Sequence, residues 1–120
     1  MSQRVLVVDD ESDVLLSLRI VLETAGYEVF EATSGEEALE MLGETEPDLV
    51  VLDIVLPGID GWEVLDEVRG RTDIPVILAS ANAHPGLRER AERSGCKALF
   101  TKPFSAEELR RTVARILSPG

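Results

Sequence analysis

Apolar residues in this chain form short unbroken runs separated by longer stretches with helical spacing. The runs 5–8, 49–52 and 76–79 contain only Val, Leu, Ile and Ala, which is typical of strands buried on both faces of a parallel sheet. Residues 27–31 alternate apolar with polar and indicate an edge strand with one wetter face. Strands are predicted at 4–8, 27–31, 49–53, 74–80 and 98–101.

A stretch with helical spacing follows each predicted strand. Ser12 is a suitable N-cap for the first helix, and Gly26 is a suitable stop. Ser34 and Ser105 each precede a Glu by three residues, the capping-box spacing that marks a helix start. Helices are predicted from Ser12 to Gly26, from Ser34 to before Pro47, from Asp60 to near Gly70, from Leu87 to Ser94 and from Ser105 to Leu117.

Five strand and helix units in succession, with connections long enough only for a crossover, specify a parallel sheet with helices on both faces. The doubly wound strand order 2-1-3-4-5 suits five such units. This order places the ends of strands one and three side by side. They meet at the switch point, where strand three is added on the opposite side of strand one from strand two. At 120 residues the chain is expected to be a single domain.

Polar residues interrupt the apolar runs at the same place in each unit, the carboxyl end of the strand. They are Asp9 and Asp10 after strand one, Asp53 after three, Ser80 after four and Lys102 after five. Taken singly, each has an ordinary interpretation as a helix cap, a strand-end hydroxyl or a solvated lysine. Because these ends converge in the predicted topology, together they indicate a site.

Three acids at one crevice require a compensating cation. Two carboxylates about 4 Å apart repel by about 4 kcal/mol at an effective dielectric constant near 20, and Lys102 offers only one positive charge. Oxygen ligands without nearby His or Cys select a hard ion, and a shallow site that keeps several waters favours Mg²⁺ over Ca²⁺. A divalent ion and a lysine can together neutralise a phosphoryl group, and Ser80 can donate a hydrogen bond to it. Asp53 is then the expected nucleophile, with Asp9 and Asp10 holding the metal.

Composition narrows the possible partners. The formal net charge of −11 argues against direct nucleic-acid binding and against docking on an anionic membrane. No apolar run approaches the length of a membrane span, and no signal peptide is recognisable, so a cytoplasmic protein is expected. With one Cys and one His, neither an internal disulfide nor a zinc site is expected.

These motifs resemble the receiver domain of two-component response regulators. The resemblance extends from Val5 to Leu117 and is carried by V-L-V-V-D-D-E, L-V-V-L-D-I-V-L-P-G-I-D-G, V-I-L-A-S-A and T-K-P-F. It implies the flavodoxin-like fold and phosphorylation of Asp53 from a histidine kinase or a histidine phosphotransfer protein. The chain is expected to be one receiver domain over 1–120, with its core at about 4–117 and no effector domain, so that its output passes through a downstream protein target.

The resemblance also implies roles for individual residues. Asp10 would bind Mg²⁺ directly, Asp9 would help through water, and the backbone carbonyl of Val55 would be a further ligand. Lys102 would contact the phosphoryl group and precede a cis Pro103.

Ser80 would be the switch hydroxyl in the same family. Val55 and Asn82 resemble the variable positions that tune phosphoryl lifetime.

The chain departs from the family pattern in two places. Many receivers carry Tyr or Phe three residues before the lysine, where this chain has Leu99, and the nearest aromatic, Phe100, is expected to face the opposite way. His84, Pro85 and Gly86 stand where the fourth helix usually begins. That helix is therefore expected to start late.

A phosphoacceptor switch, and not a turnover enzyme, is the main hypothesis. A Mg²⁺-dependent aspartyl-phosphate phosphatase of the haloacid dehalogenase type would resemble D-x-D-x-T after strand one, but Asp9 to Asp13 read D-D-E-S-D. A flavodoxin-like nucleotide binder needs small or hydroxyl residues in this loop, and neither GxGxxG nor a P-loop is present. A receiver that binds protein without being phosphorylated remains a further alternative.

Overall fold

The computed structural model describes residues 2–81 and 84–118. Its strands are β1 (Arg4–Val8), β2 (Glu28–Ala32), β3 (Leu49–Asp53), β4 (Val76–Ser80) and β5 (Ala98–Thr101). Its helices are α1 (Ser12–Thr24), α2 (Gly35–Thr45), α3 (Gly61–Arg71), α4 (Leu87–Ser94) and α5 (Ala106–Leu117). All neighbouring strands pair in parallel, in the predicted order β2-β1-β3-β4-β5.

Alternate residues of the central strands enter two separate cores, because successive side chains of a strand point to opposite faces. Val8, Leu52 and Leu78 pack with α2, α3 and α4 in the first core. The second core lies under α1 and α5 and includes Val7 and Val51. Both faces of the sheet are therefore covered by helices, and the unbroken apolar runs of the sequence are explained.

Hydrogen-bonded caps begin three of the helices. The side chains of Ser34, Asp60 and Ser105 each accept a hydrogen bond from the backbone N–H three residues later, at 3.0 to 3.2 Å. The helix starts predicted from the capping-box spacing at Ser34 and Ser105 are thus confirmed, although the Glu37 carboxylate accepts the Thr33 N–H at 2.7 Å and not the Ser34 N–H of a full capping box.

The predicted N-cap of α1 is wrong. Ser12 is the first helical residue, Glu11 occupies the cap position, and the Glu11 side chain makes no capping hydrogen bond. The Asp9 carboxylate instead accepts the Glu11 N–H at 2.9 Å, so the turn into the helix is made by the aspartate that precedes it.

Other boundaries differ by one or two residues. The third helix continues through Gly70 to Arg71, and β4 begins at Val76 because Pro75 has no N–H for the ladder. The predicted late start of α4 is confirmed: the helix begins at Leu87, after Gly86 in the left-handed region with φ of 90°.

Candidate functional site

Asp9 and Asp53 lie close together because they end neighbouring strands. Asp53 is the last residue of β3, and Asp9 directly follows β1, one position beyond the pair formed by Val8 and Leu52. Asp9 is 1% exposed and Asp53 is 5% exposed. Two carboxylates are therefore removed from water together at the carboxyl end of the sheet, where the sequence predicts the site.

Lys102 provides the positive charge at this site. Its backbone N–H donates to the Ser80 carbonyl at 2.7 Å, which attaches the segment after β5 to the end of β4. Its Nζ lies 2.6 Å from Asp9 Oδ2 and 3.2 Å from Asp53 Oδ2. The peptide bond between Lys102 and Pro103 is cis, as the resemblance implied.

The environment of Asp53 opposes its ionisation. Burial and the neighbouring Asp9 charge raise the pKa of the Asp53 carboxyl above its ordinary value. The Lys102 ammonium and the Val55 N–H, which donates to Asp53 Oδ1 at 3.3 Å, oppose the rise without cancelling it. Ionisation of Asp53 in this site therefore costs more free energy than ionisation of an aspartate in water.

Lys102 is held in its charged form by the same contacts. Burial alone would lower the pKa of Lys102, but the hydrogen bond with Asp9 and the charges of Asp53 and Asp9 outweigh burial. The pKa of the ammonium therefore lies above its ordinary value, and the group remains a cation at neutral pH.

A third carboxylate completes an acidic cluster. One oxygen from each of Asp9, Asp10 and Asp53 lies within 4.8 Å of the others, and Asp10 is exposed. Oxygen donors at this spacing, with more negative charge than one ammonium can neutralise, match what Mg²⁺ requires. The donor set of this chain therefore fits the metal that the sequence predicts.

Ser80 and Val55 lie at opposite extremes of exposure. Ser80 ends β4 and is 3% exposed, whereas the Val55 side chain is 58% exposed. Coordination by the Val55 carbonyl and the switch role of Ser80 stay predictions. Asn82, the second predicted tuning position, lies outside the described residues.

Gly61 supports the site in a way that sequence analysis missed. Its N–H donates to the Ile54 carbonyl at 2.7 Å, and a Cβ at Gly61 would collide with the carbonyl oxygen of Asp53. The first residue of α3 can approach the loop after β3 only because it lacks a side chain. The D-G pair at positions 60 and 61 predicts only a helix start, because the sequence does not show how closely α3 approaches the end of β3.

Trp62, near the start of α3, contacts both the apolar core and a charged side chain of α4. The side chain is half-buried against the first core, and the guanidinium carbon of Arg90 lies 4.1 Å from its ring centroid. This cation–π contact links the start of α3 to α4.

Within the described residues, no helix has the length and apolar character needed to cross a bilayer.

Comparison with known families agrees with this geometry. Residues 5–114 match the sequence profile of the response regulator receiver domain. The chain belongs to this family. It is a receiver domain of two-component signalling, a class of generally non-enzymatic signalling modules that bind Mg²⁺ in an acidic pocket.

Solved receiver structures have the same fold. A two-component response regulator from Clostridium difficile superposes with a TM-score of 0.92 at 28% identity, over 97% of this chain and 96% of that chain. The chemotaxis protein CheY4 of Vibrio cholerae gives a TM-score of 0.89 at 28% identity, over 98% and 100%. NtrX from Brucella abortus gives 0.87 at 34% identity, over 98% of this chain but 27% of that chain.

Proposed function

We propose that Asp53 accepts a phosphoryl group from a phosphohistidine donor and that the product changes a protein-interaction surface of this receiver. The observation that supports this most strongly is the surplus of carboxylates around one ammonium. A buried aspartate with a purely structural role would have a cation of its own as partner. Lys102 is the cation closest to Asp53, but it lies closer to Asp9, at 2.6 Å. Asp53 therefore shares its cation with Asp9, has a raised pKa and lies at the carboxyl end of the central strand.

The proposed step is an in-line displacement at phosphorus. An Asp53 carboxylate oxygen forms a bond to phosphorus, and the bond between phosphorus and the donor imidazole nitrogen breaks, with the electron pair leaving on the imidazole. Lys102 then moves part of its interaction from the carboxylates to the phosphoryl oxygens, and Ser80 donates a hydrogen bond to one of them. With acetyl phosphate as donor, the oxygen–phosphorus bond breaks and acetate leaves.

The metal would be held by Asp10, Asp53 and the backbone carbonyl of Val55, with Asp9 acting through water. Bound Mg²⁺ supplies positive charge that offsets the negative charge of the phosphoryl oxygens. Burial of Asp9 at 1% exposure and its bond to Lys102 agree with an indirect role for this residue, whereas Asp10 is exposed.

The proposed partners are proteins. The phosphoryl donor is a histidine kinase or a histidine phosphotransfer protein, and a downstream protein target receives the signal. Beyond its own phosphorylation and autodephosphorylation, no turnover of a substrate is proposed. The net charge of −11 supports this choice over nucleic acid, because DNA binding depends on Lys and Arg that neutralise phosphates.

Chemical trapping tests the assignment of the acceptor. The protein is incubated with acetyl phosphate and Mg²⁺ and then reduced with borohydride, which converts an acyl phosphate into an alcohol. Peptide mass spectrometry should find the reduced residue at position 53. Reduction at Asp9 or Asp10 in place of Asp53 would refute the assignment.

A further inference from the structure

Phe100 lies in the same row of the sheet as the buried carboxylates. In the strand register, Asp53 pairs with Ala79 and Ala79 pairs with Phe100. Phe100 packs against the second core, under α1 and α5, whereas Leu99 packs against the first. The Phe100 ring is therefore on the opposite face from Leu99, two residues before the lysine of the site.

Phe100 makes a ring contact that spans this lysine. The centroids of Phe100 and Phe104 are 5.5 Å apart, and the ring planes are tilted by 47°. Tilted rings at this distance attract each other, and both rings are half-buried against the second core. This aromatic pair joins the end of β5 to the segment before α5, with Lys102 between its members.

The position of the ammonium depends on the backbone from 101 to 103. A lysine side chain has four rotatable carbons and loses considerable entropy when its charge is held in one place. Thr101 and Pro103, on either side of Lys102, are exposed and offer little packing. Beyond the ladder pairing of Thr101 with Ser80, the Ser80 carbonyl and the aromatic pair are contacts that help to fix where the Lys102 side chain starts.

We propose that Phe100, through its contact with Phe104, is a positioning residue that holds Lys102 for the phosphorylation of Asp53. The inference rests on the proposed function, because the role assigned to Lys102 belongs to that reaction. Leu99 cannot serve in this way, since its side chain enters the other core.

Two measurements test the inference on Phe100→Leu. The first is the phosphorylation rate with acetyl phosphate and Mg²⁺, which should fall by about tenfold or more, because a misplacement of roughly 1 Å can cost about 100-fold. The second is the side-chain ammonium signal of Lys102 in proton–nitrogen NMR. The chain has only two lysines, so exposed Lys97 is an internal reference. The Lys102 signal should weaken and move towards that of Lys97.

Matched variants separate positioning from general packing. Phe30→Leu removes the same atoms from a half-buried strand residue that packs against the first core, and should leave both the rate and the Lys102 signal within about twofold of wild type. Phe100→Tyr keeps the ring and should restore both. Phe104→Leu breaks the pair from its other side and replaces Phe100→Leu if that variant does not fold.

A wild-type rate in Phe100→Leu, or a slower rate with an unchanged Lys102 signal, would overturn the inference. So would an equal loss of rate in Phe30→Leu. If wild type itself is not phosphorylated, the proposed function fails, and the Lys102 signal still reports whether Phe100 holds the lysine.

Discussion

Lys102 divides one positive charge between two buried carboxylates, at 2.6 Å from Asp9 and 3.2 Å from Asp53. A third carboxylate, Asp10, stands at the mouth of the same cluster. Like charges at this spacing repel, so the site without metal is a source of instability that either a cation or the loss of one charge relieves.

Replacement of Asp10 should separate metal binding from stability. We expect Asp10→Asn to weaken Mg²⁺ binding by at least about tenfold, because a charged oxygen ligand is lost. Its metal-free free energy of unfolding should equal or exceed that of wild type by up to about 0.5 kcal/mol. Calorimetric titration and urea unfolding measure the two effects, with Asp66→Asn on the exposed side of α3 as control. Unchanged Mg²⁺ affinity in Asp10→Asn would refute the metal site.

The pKa of Asp53 predicts a pH dependence of stability. Because this pKa is raised above its ordinary value of 3.8, the folded protein retains a proton at pH values where the unfolded chain has lost it. The stabilising contribution of this carboxyl to the free energy of unfolding is thus present at low pH and is lost as pH rises through the raised pKa.

Asp53→Asn should therefore be more stable than wild type in the absence of Mg²⁺, by on the order of 1 kcal/mol at about pH 7. The difference should shrink towards zero at about pH 3, below the ordinary pKa of 3.8, where the carboxyl binds a proton in the folded and the unfolded state alike. Urea unfolding at the two pH values measures it. A variant that is less stable at neutral pH, or a difference independent of pH, would contradict the assignment of the raised pKa.

Among the elements, α4 has the least support from its own sequence. The helix has eight residues, of which Leu87 and Ala91 are buried, and its N-cap Gly86 offers no side chain to the first turn. Two arginine contacts attach it to α3: Arg90 lies over Trp62, and Arg69 donates to the Gly95 carbonyl at 3.0 Å.

We expect phosphorylation to order the segment from Asn82 to Leu87, which leads into α4. This expectation comes from the sequence, because Pro85 has no backbone N–H to donate and Gly86 has no side chain just before α4. Asn82 itself lies outside the described residues. Hydrogen exchange with and without beryllofluoride, an analogue of the phosphoryl group, should show the largest gain in protection there. Full protection of this segment in the free protein, or a larger change in α1, would rule the idea out.

Over the whole molecule, the apolar runs and the helical stretches between them are together sufficient to predict the architecture. Residues such as Val51 and Leu52 are both buried, on opposite faces, and only a sheet covered by helices on both sides accommodates that pattern. The topology then brings Asp9, Asp53 and Lys102 to one edge. This part of the site could be predicted because it depends on strand ends and not on side-chain detail.

Other features of the site depend on distances that a sequence does not contain. Asp9 forms the turn before α1 and is the closer partner of Lys102, which requires the positions of a carboxylate and an ammonium in space. The approach of Gly61 to Asp53 depends on the angle at which α3 leaves the loop. The contact between Phe100 and Phe104 depends on the path of the chain through Pro103.

The most direct test of Asp53 as the phosphoacceptor is intact-mass spectrometry after incubation with acetyl phosphate. Wild type and Asp53→Ala are compared with Mg²⁺ and with a chelator, and Asp66→Ala serves as a control at an exposed aspartate. We predict one added phosphoryl group on wild type and on Asp66→Ala when Mg²⁺ is present, and none on Asp53→Ala. Equal labelling of Asp53→Ala, or labelling of wild type that is unaffected by the chelator, would contradict the proposed function.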